Sequence, residues 1–154
     1  MSQTNRPPKR YLLSGLEYEI LRQVAYRIVP WAIDMPGLDL AERIDAVLAQ
    51  VRPQMGRDFK ILLLVFEYGA PFLGGGIKRF TRMSQDAQDR YLTNWEHSRL
   101  GFKRMGFQVL RRAALAAFYG SPESWARIGY PGPWLTRGYP HDFKGTTTQH
   151  PAHR

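Results

Sequence analysis

The chain has 154 residues, 44% of them hydrophobic and 23% charged, a profile that fits one globular domain and excludes a disordered chain. It contains no Cys, which excludes a disulfide framework, a thiolate metal site and a thiol nucleophile. The net charge of +9, concentrated in residues 1–30 (net +3) and 91–120 (net +4), fits either a solvated basic helix face or a surface for an anionic partner, whether nucleic acid, an anionic membrane surface or an acidic protein.

Residues 1–13 read as a flexible basic tail. Lys9-Arg10-Tyr11-Leu12-Leu13 is a trace of a twin-arginine export signal, but charged residues follow where its apolar core should lie. That absence predicts a cytoplasmic location, or a periplasmic one if the chain is exported with a partner. Ser14 and Glu17 have capping-box spacing, and Leu16, Ile20, Leu21, Val24 and Ile28 form one face of a first helix, stopped by Pro30. Residues 31–38 read as a loop. Asp39 and Glu42 repeat the cap signal, and Leu40, Ile44, Val47, Leu48 and Val51 give a second amphipathic helix, stopped near Pro53.

A third helix is expected over 54–68. Residues 59–66 are apolar nearly all round apart from Lys60, which predicts the central helix of the core; a strand over 61–66 is the competing reading. Gly69 to Gly76 is the clearest break. Ser84 and Asp86 start a helix carrying Tyr91, Leu92 and Trp95, with Gly101 and Gly106 as expected interruptions. Phe107, Leu110, Ala114, Leu115 and Phe118 continue a helical face to Gly120. Ser121-Pro122 opens a short helix to Ile128, and Gly129 ends it. The expected fold is all-α: a small irregular bundle of about five helices over 14–134, with an irregular, extended tail over 135–154.

Chemistry is sparse in this pattern. The four His include no i, i+4 pair and no Glu-x-x-His, so no metal site is expected. Ser14, Ser84 and Ser121 stand at helix starts, where capping accounts for them. Gly74-Gly75-Gly76-Ile77-Lys78 lacks Gly-Lys-[Ser/Thr] and follows no strand, so it is not a nucleotide loop. Glu67 interrupts an apolar helix and needs a partner; a structural ion pair with an Arg is expected, and a pocket built on Glu67 would mark an enzyme instead. No catalytic residue, metal ligand or cofactor-binding residue is assigned. The unusual segment is Trp125 to Trp134, where Tyr130-Pro131-Gly132-Pro133 holds an extended backbone between aromatics. It fits a strap over the protein's own core or an anchor strip for another chain.

Residues 16–134 resemble the gluconate 2-dehydrogenase subunit 3 family, small all-α companions of flavin-dependent dehydrogenases of the glucose–methanol–choline class. The likeness lies in the order of features: Ile28-Val29-Pro30, then Pro36-Gly37, a central apolar helix, Arg79-Phe80 before Met83-Ser84, and a helix with Trp95. The most specific part is the closing run Phe118-Tyr119-Gly120-Ser121-Pro122-Glu123-Ser124-Trp125 with Ile128-Gly129-Tyr130-Pro131-Gly132-Pro133. The resemblance implies a non-catalytic subunit that supports folding, stability or export of a large FAD-binding partner, which passes electrons to a cytochrome or another acceptor. Many relatives carry a twin-arginine signal, and this chain departs there. The expected partner interface is Trp125, Tyr130, Pro131, Gly132, Pro133 and Trp134 together with Gly74, Gly75 and Gly76. The rival class is a basic anion- or nucleic-acid-binding helical module, whose affinity would fall steeply with salt.

Overall fold

The structure, a computed structural model, describes residues 9–73 and 77–133. Within them the chain is all-α and forms six α-helices: α1 (Gly15–Ile28), α2 (Leu40–Leu48), α3 (Pro53–Tyr68), α4 (Gln85–Glu96), α5 (Gly101–Tyr119) and α6 (Pro122–Ile128). The tail expected over 135–154 lies outside the described residues, as do Gly74, Gly75, Gly76 and Trp134.

Local chemistry sets the boundaries. Ser14 Oγ accepts from the N–H of Glu17, and the Glu17 carboxylate accepts the N–H of Ser14 at 2.8 Å, which closes the capping box of α1. Asp39 accepts from the N–H groups of Ala41 and Glu42 at the start of α2, and Ser84 from Ala87 at the start of α4. Ser121 departs from the expectation. Its hydroxyl donates back to the Ala117 carbonyl, so α6 starts on Pro122 without a side-chain cap. Gly129 ends α6 at φ 67°, a left-handed conformation that suits a residue without Cβ.

Three other expectations are corrected. Residues 31–38 are not all loop: Pro30–Asp34 forms a 3₁₀ turn. The helix expected from Ser84 does break ahead of Gly101, with α4 ending at Glu96, but Gly106 does not interrupt α5. Gly101 is its first residue, and Gly106 lies where a Cβ would come within 2.8 Å of Leu62 and of the Trp95 ring. The end of the basic tail is not free. Asp45, wholly buried on α2, accepts the N–H groups of Tyr11 (2.7 Å), Leu12 (3.0 Å) and Leu13 (2.9 Å), and Leu13 is buried.

The helix at the centre of the bundle is α1, not α3. It packs against α2, α3, α4 and α5 and against the 3₁₀ turns Pro30–Asp34 and Phe80–Arg82, with Ile20, Leu21, Val24 and Ala25 buried. The run 59–66 is helical but only one stripe of it is inside. Phe59, Leu63 and Phe66 are buried, whereas Ile61 is 58% exposed and Val65 41%. A helix on the flank of a bundle needs one apolar stripe, so the remaining apolar residues of α3 face outward.

Beneath α3 lies an aromatic cluster. Phe66 packs edge-on against Phe80 (4.7 Å between ring centres) and Trp95 (4.8 Å), and beside Tyr91 (4.9 Å). The Tyr91 hydroxyl donates to the Phe66 carbonyl at 3.2 Å, and the Tyr18 hydroxyl donates to Asp39 at 2.9 Å. Burial pushes both phenols above their ordinary range, with Asp39 adding to the effect at Tyr18. The sign for stability follows. Above pH of about 10 the unfolded chain releases phenolic protons that the folded chain keeps, so stability falls by up to about 1.4 kcal/mol per pH unit for each such tyrosine. Burial of Lys103 lowers its value and acts oppositely, since its penalty is relieved as pH rises towards about 10. Two buried phenols outweigh one ammonium, so the melting temperature should fall above pH of about 10. A melting temperature still rising at pH of about 11 would contradict this.

Candidate interaction surface

The closing run folds partly onto itself. The Trp125 indole N–H donates to the Tyr119 carbonyl at 2.8 Å, and its ring meets Tyr130 edge-on at 5.5 Å. The N–H of Tyr130 donates to the Trp125 carbonyl at 2.9 Å. Gly132, buried, passes beside the Trp125 ring at φ 99°, a left-handed conformation that suits a residue without Cβ. Tyr130 and Pro131 remain exposed on the outer side of this turn, and Pro133 is half-buried. Trp125 is therefore the post around which 129–132 winds, and the exposed ring of Tyr130 is what the run offers outward. Of the expected interface, Trp134 and the three glycines Gly74, Gly75 and Gly76 lie outside the described residues.

Glu67 is buried, and its partner is Thr81 rather than an Arg. One carboxylate oxygen accepts the Thr81 N–H at 2.9 Å, and the other accepts the Thr81 hydroxyl at 2.6 Å. This fixes the 3₁₀ turn Phe80–Arg82 against the C-terminal end of α3. Arg79, just before this turn, instead lies over the Tyr68 ring at 5.4 Å.

In the basic segment around α5 only Lys103 is turned inward, while Arg104 and Arg111 are exposed and also bond to the protein. Lys103 is buried; its ammonium donates to the Leu73 carbonyl at 2.9 Å and to Asn94 Oδ1, and it sits over the Trp95 ring. Arg104 donates to the carbonyls of Ser98 and Arg99, and Arg111 pairs with Glu96 at 3.3 Å. Arg99 and Arg112 stand exposed.

Two residues here escaped the sequence reading although the helical period placed them. Lys103 falls on the stripe of Phe107, Leu110 and Ala114, and Asp45 on the stripe of Ala41, Ile44 and Leu48. A charged residue on an inward stripe needs a named partner, and that was the available signal.

A feature no motif announced lies between α2, α3 and α5. It is an open apolar groove of about 280 Å³, walled by Ile44, Val47, Leu48, Phe59, Ala113 and Ala116. The alanines on α5 keep it open, because their side chains stop short of α2. Arg43 marks its edge and is fastened to Glu123 of α6 at 2.6 Å, so the groove adjoins the closing run. Val47 is 60% exposed at its rim. Among the described residues, no helix is long and apolar enough to cross a membrane, and no group of three or more metal-binding side chains comes together. Comparisons with protein-family models, curated proteins and solved structures find no match to this chain.

Proposed function

We propose that the chain is a non-catalytic small subunit of a flavin-dependent alcohol or sugar dehydrogenase complex, supporting the folding, stability or export of its FAD-binding large subunit. The observation that carries this reading is the apolar groove between α2, α3 and α5, beside the run 118–133 that resembles the subunit 3 family. Apolar walls left open to water on a small chain suit side chains supplied by a larger protein. The exposed ring of Tyr130 adds an aromatic contact of the kind that anchors interfaces. On this reading FAD and the redox chemistry belong to the large subunit, electrons leave it to a cytochrome or another acceptor, and this chain travels wherever its partner does.

Retention of a co-expressed flavoprotein on tagged small subunit tests the reading. Val47→Glu and Ala116→Glu place charges in the groove at exposed positions, so the fold should persist while a buried unpaired carboxylate weakens the complex about 10- to 100-fold. Retention equal to that of the unaltered chain would remove the groove from the interface.

A further inference from the structure

One end of the bundle carries a second surface of different character. The Lys103 ammonium ties the turn after α3, through the Leu73 carbonyl, to Asn94 near the end of α4 and to the start of α5. Four apolar side chains stand out of the segments so joined, and a fifth, Ile77, stands out of the stretch leading to the turn Phe80–Arg82, which Glu67 holds to the end of α3. Phe72 is 88% exposed and Ile77 98%, and Leu100, Phe102 and Met105 are each more than half exposed. Phe102 stays in place through its edge contact with the buried Trp95 ring at 6.3 Å.

The charges around them have one sign. Between Glu67 and Asp86 the sequence has no acidic residue, and between Glu96 and Glu123 it has none. The flanking carboxylates nearest this end are occupied: Glu67 is buried on Thr81 and Glu96 is paired with Arg111. Lys78, Arg99 and Arg104 are exposed, and Arg79 lies over the Tyr68 ring, whose own edge is partly exposed.

We infer that this end inserts Phe72, Ile77, Leu100, Phe102 and Met105 into the interface of an anionic lipid bilayer, with Lys78, Arg79, Arg99 and Arg104 on the lipid phosphates and carboxylates. The site is separate from the groove and does not depend on the flavoprotein reading. Exposed apolar side chains on turns and on the start of a helix, with cations nearby, match the shallow apolar layer below charged headgroups. A protein partner would need a pocket for each projecting side chain, and specific protein interfaces use both signs of charge to fix register. Here one sign is missing, which suits a surface whose only requirement is negative charge.

Sedimentation with vesicles tests the inference. The full chain should bind vesicles containing about 30% phosphatidylserine, leave pure phosphatidylcholine vesicles unbound, and release as salt is raised. Phe72→Glu and Ile77→Glu change almost fully exposed side chains, so circular dichroism and melting should be unaltered while binding falls about tenfold or more. Lys78→Glu and Arg99→Glu should each lower binding at least about fivefold. Failure to bind the anionic vesicles, equal binding to both vesicle types, or variants that bind like the original chain would each overturn the inference. So would loss of a bound acidic protein, rather than of lipid, from the same variants.

Discussion

Replacing Trp95 with alanine should cost about 3–5 kcal/mol of stability, the largest loss expected from one side chain here. Trp95 is fully buried and touches Phe66, Tyr91 and Phe102, with the Lys103 ammonium over its ring and the backbone of Gly106 against its edge. Its removal opens a cavity under α3, α4 and α5 at once, and helices held by their own Cα geometry cannot close it. The indole N–H makes no hydrogen bond of normal geometry, so the cost lies in packing. Trp95→Phe should therefore recover most of the loss, leaving about 1–2 kcal/mol. Urea unfolding of both variants checks this. A loss below about 1 kcal/mol for alanine would show that the aromatic cluster is not a main support of the core.

The second large effect belongs to Asp45. Its Oδ1 serves Leu12 and Leu13 and its Oδ2 serves Tyr11, three backbone donors on one buried carboxylate. Asp45→Ala removes all three acceptors and leaves the buried N–H of Leu13 without one, which should cost about 3 kcal/mol. Asp45→Asn keeps one oxygen but turns an amide donor towards a backbone donor, so it should recover only part. The loss is local in origin. Lys60 donates to the Leu12 carbonyl, and Leu12 packs on Gly56, so freeing 11–13 also uncovers the start of α3. Hydrogen exchange should speed up at Leu13 well before the amides of α1, and uniform exchange across both would contradict the local account.

Helix starts were legible where a side chain caps them, as Ser14, Asp39 and Ser84 do, because the cap is a short-range chemical pattern. Burial was less legible. The apolar run 59–66 looked like a helix wrapped on all sides, yet apolar composition says only that burial is tolerated, and α1 took the central place. Gly106 looked like a helix breaker, and its reason is tertiary: the Leu62 and Trp95 side chains occupy the space of its Cβ. The 3₁₀ turn Pro30–Asp34 is too short to leave a period in the sequence. That Glu67 needs a partner is legible, but a hydroxyl and an N–H at Thr81 are a three-dimensional answer that residue types do not announce. The groove was not legible, because its walls come from three helices and its emptiness from alanines that read as ordinary helix formers. The closing run was legible as special, and its aromatic post and left-handed glycines explain its compact form.

The accessory-subunit reading stands or falls on one measurement: size-exclusion chromatography of this chain co-expressed with a flavin-dependent dehydrogenase large subunit from its own genome, followed at the flavin absorbance band. The proposal predicts one peak containing both chains and bound flavin, and a loss of soluble flavoprotein when this chain is left out. The chain eluting alone as a monomer, beside a flavoprotein that folds and holds its flavin unaided, would contradict it.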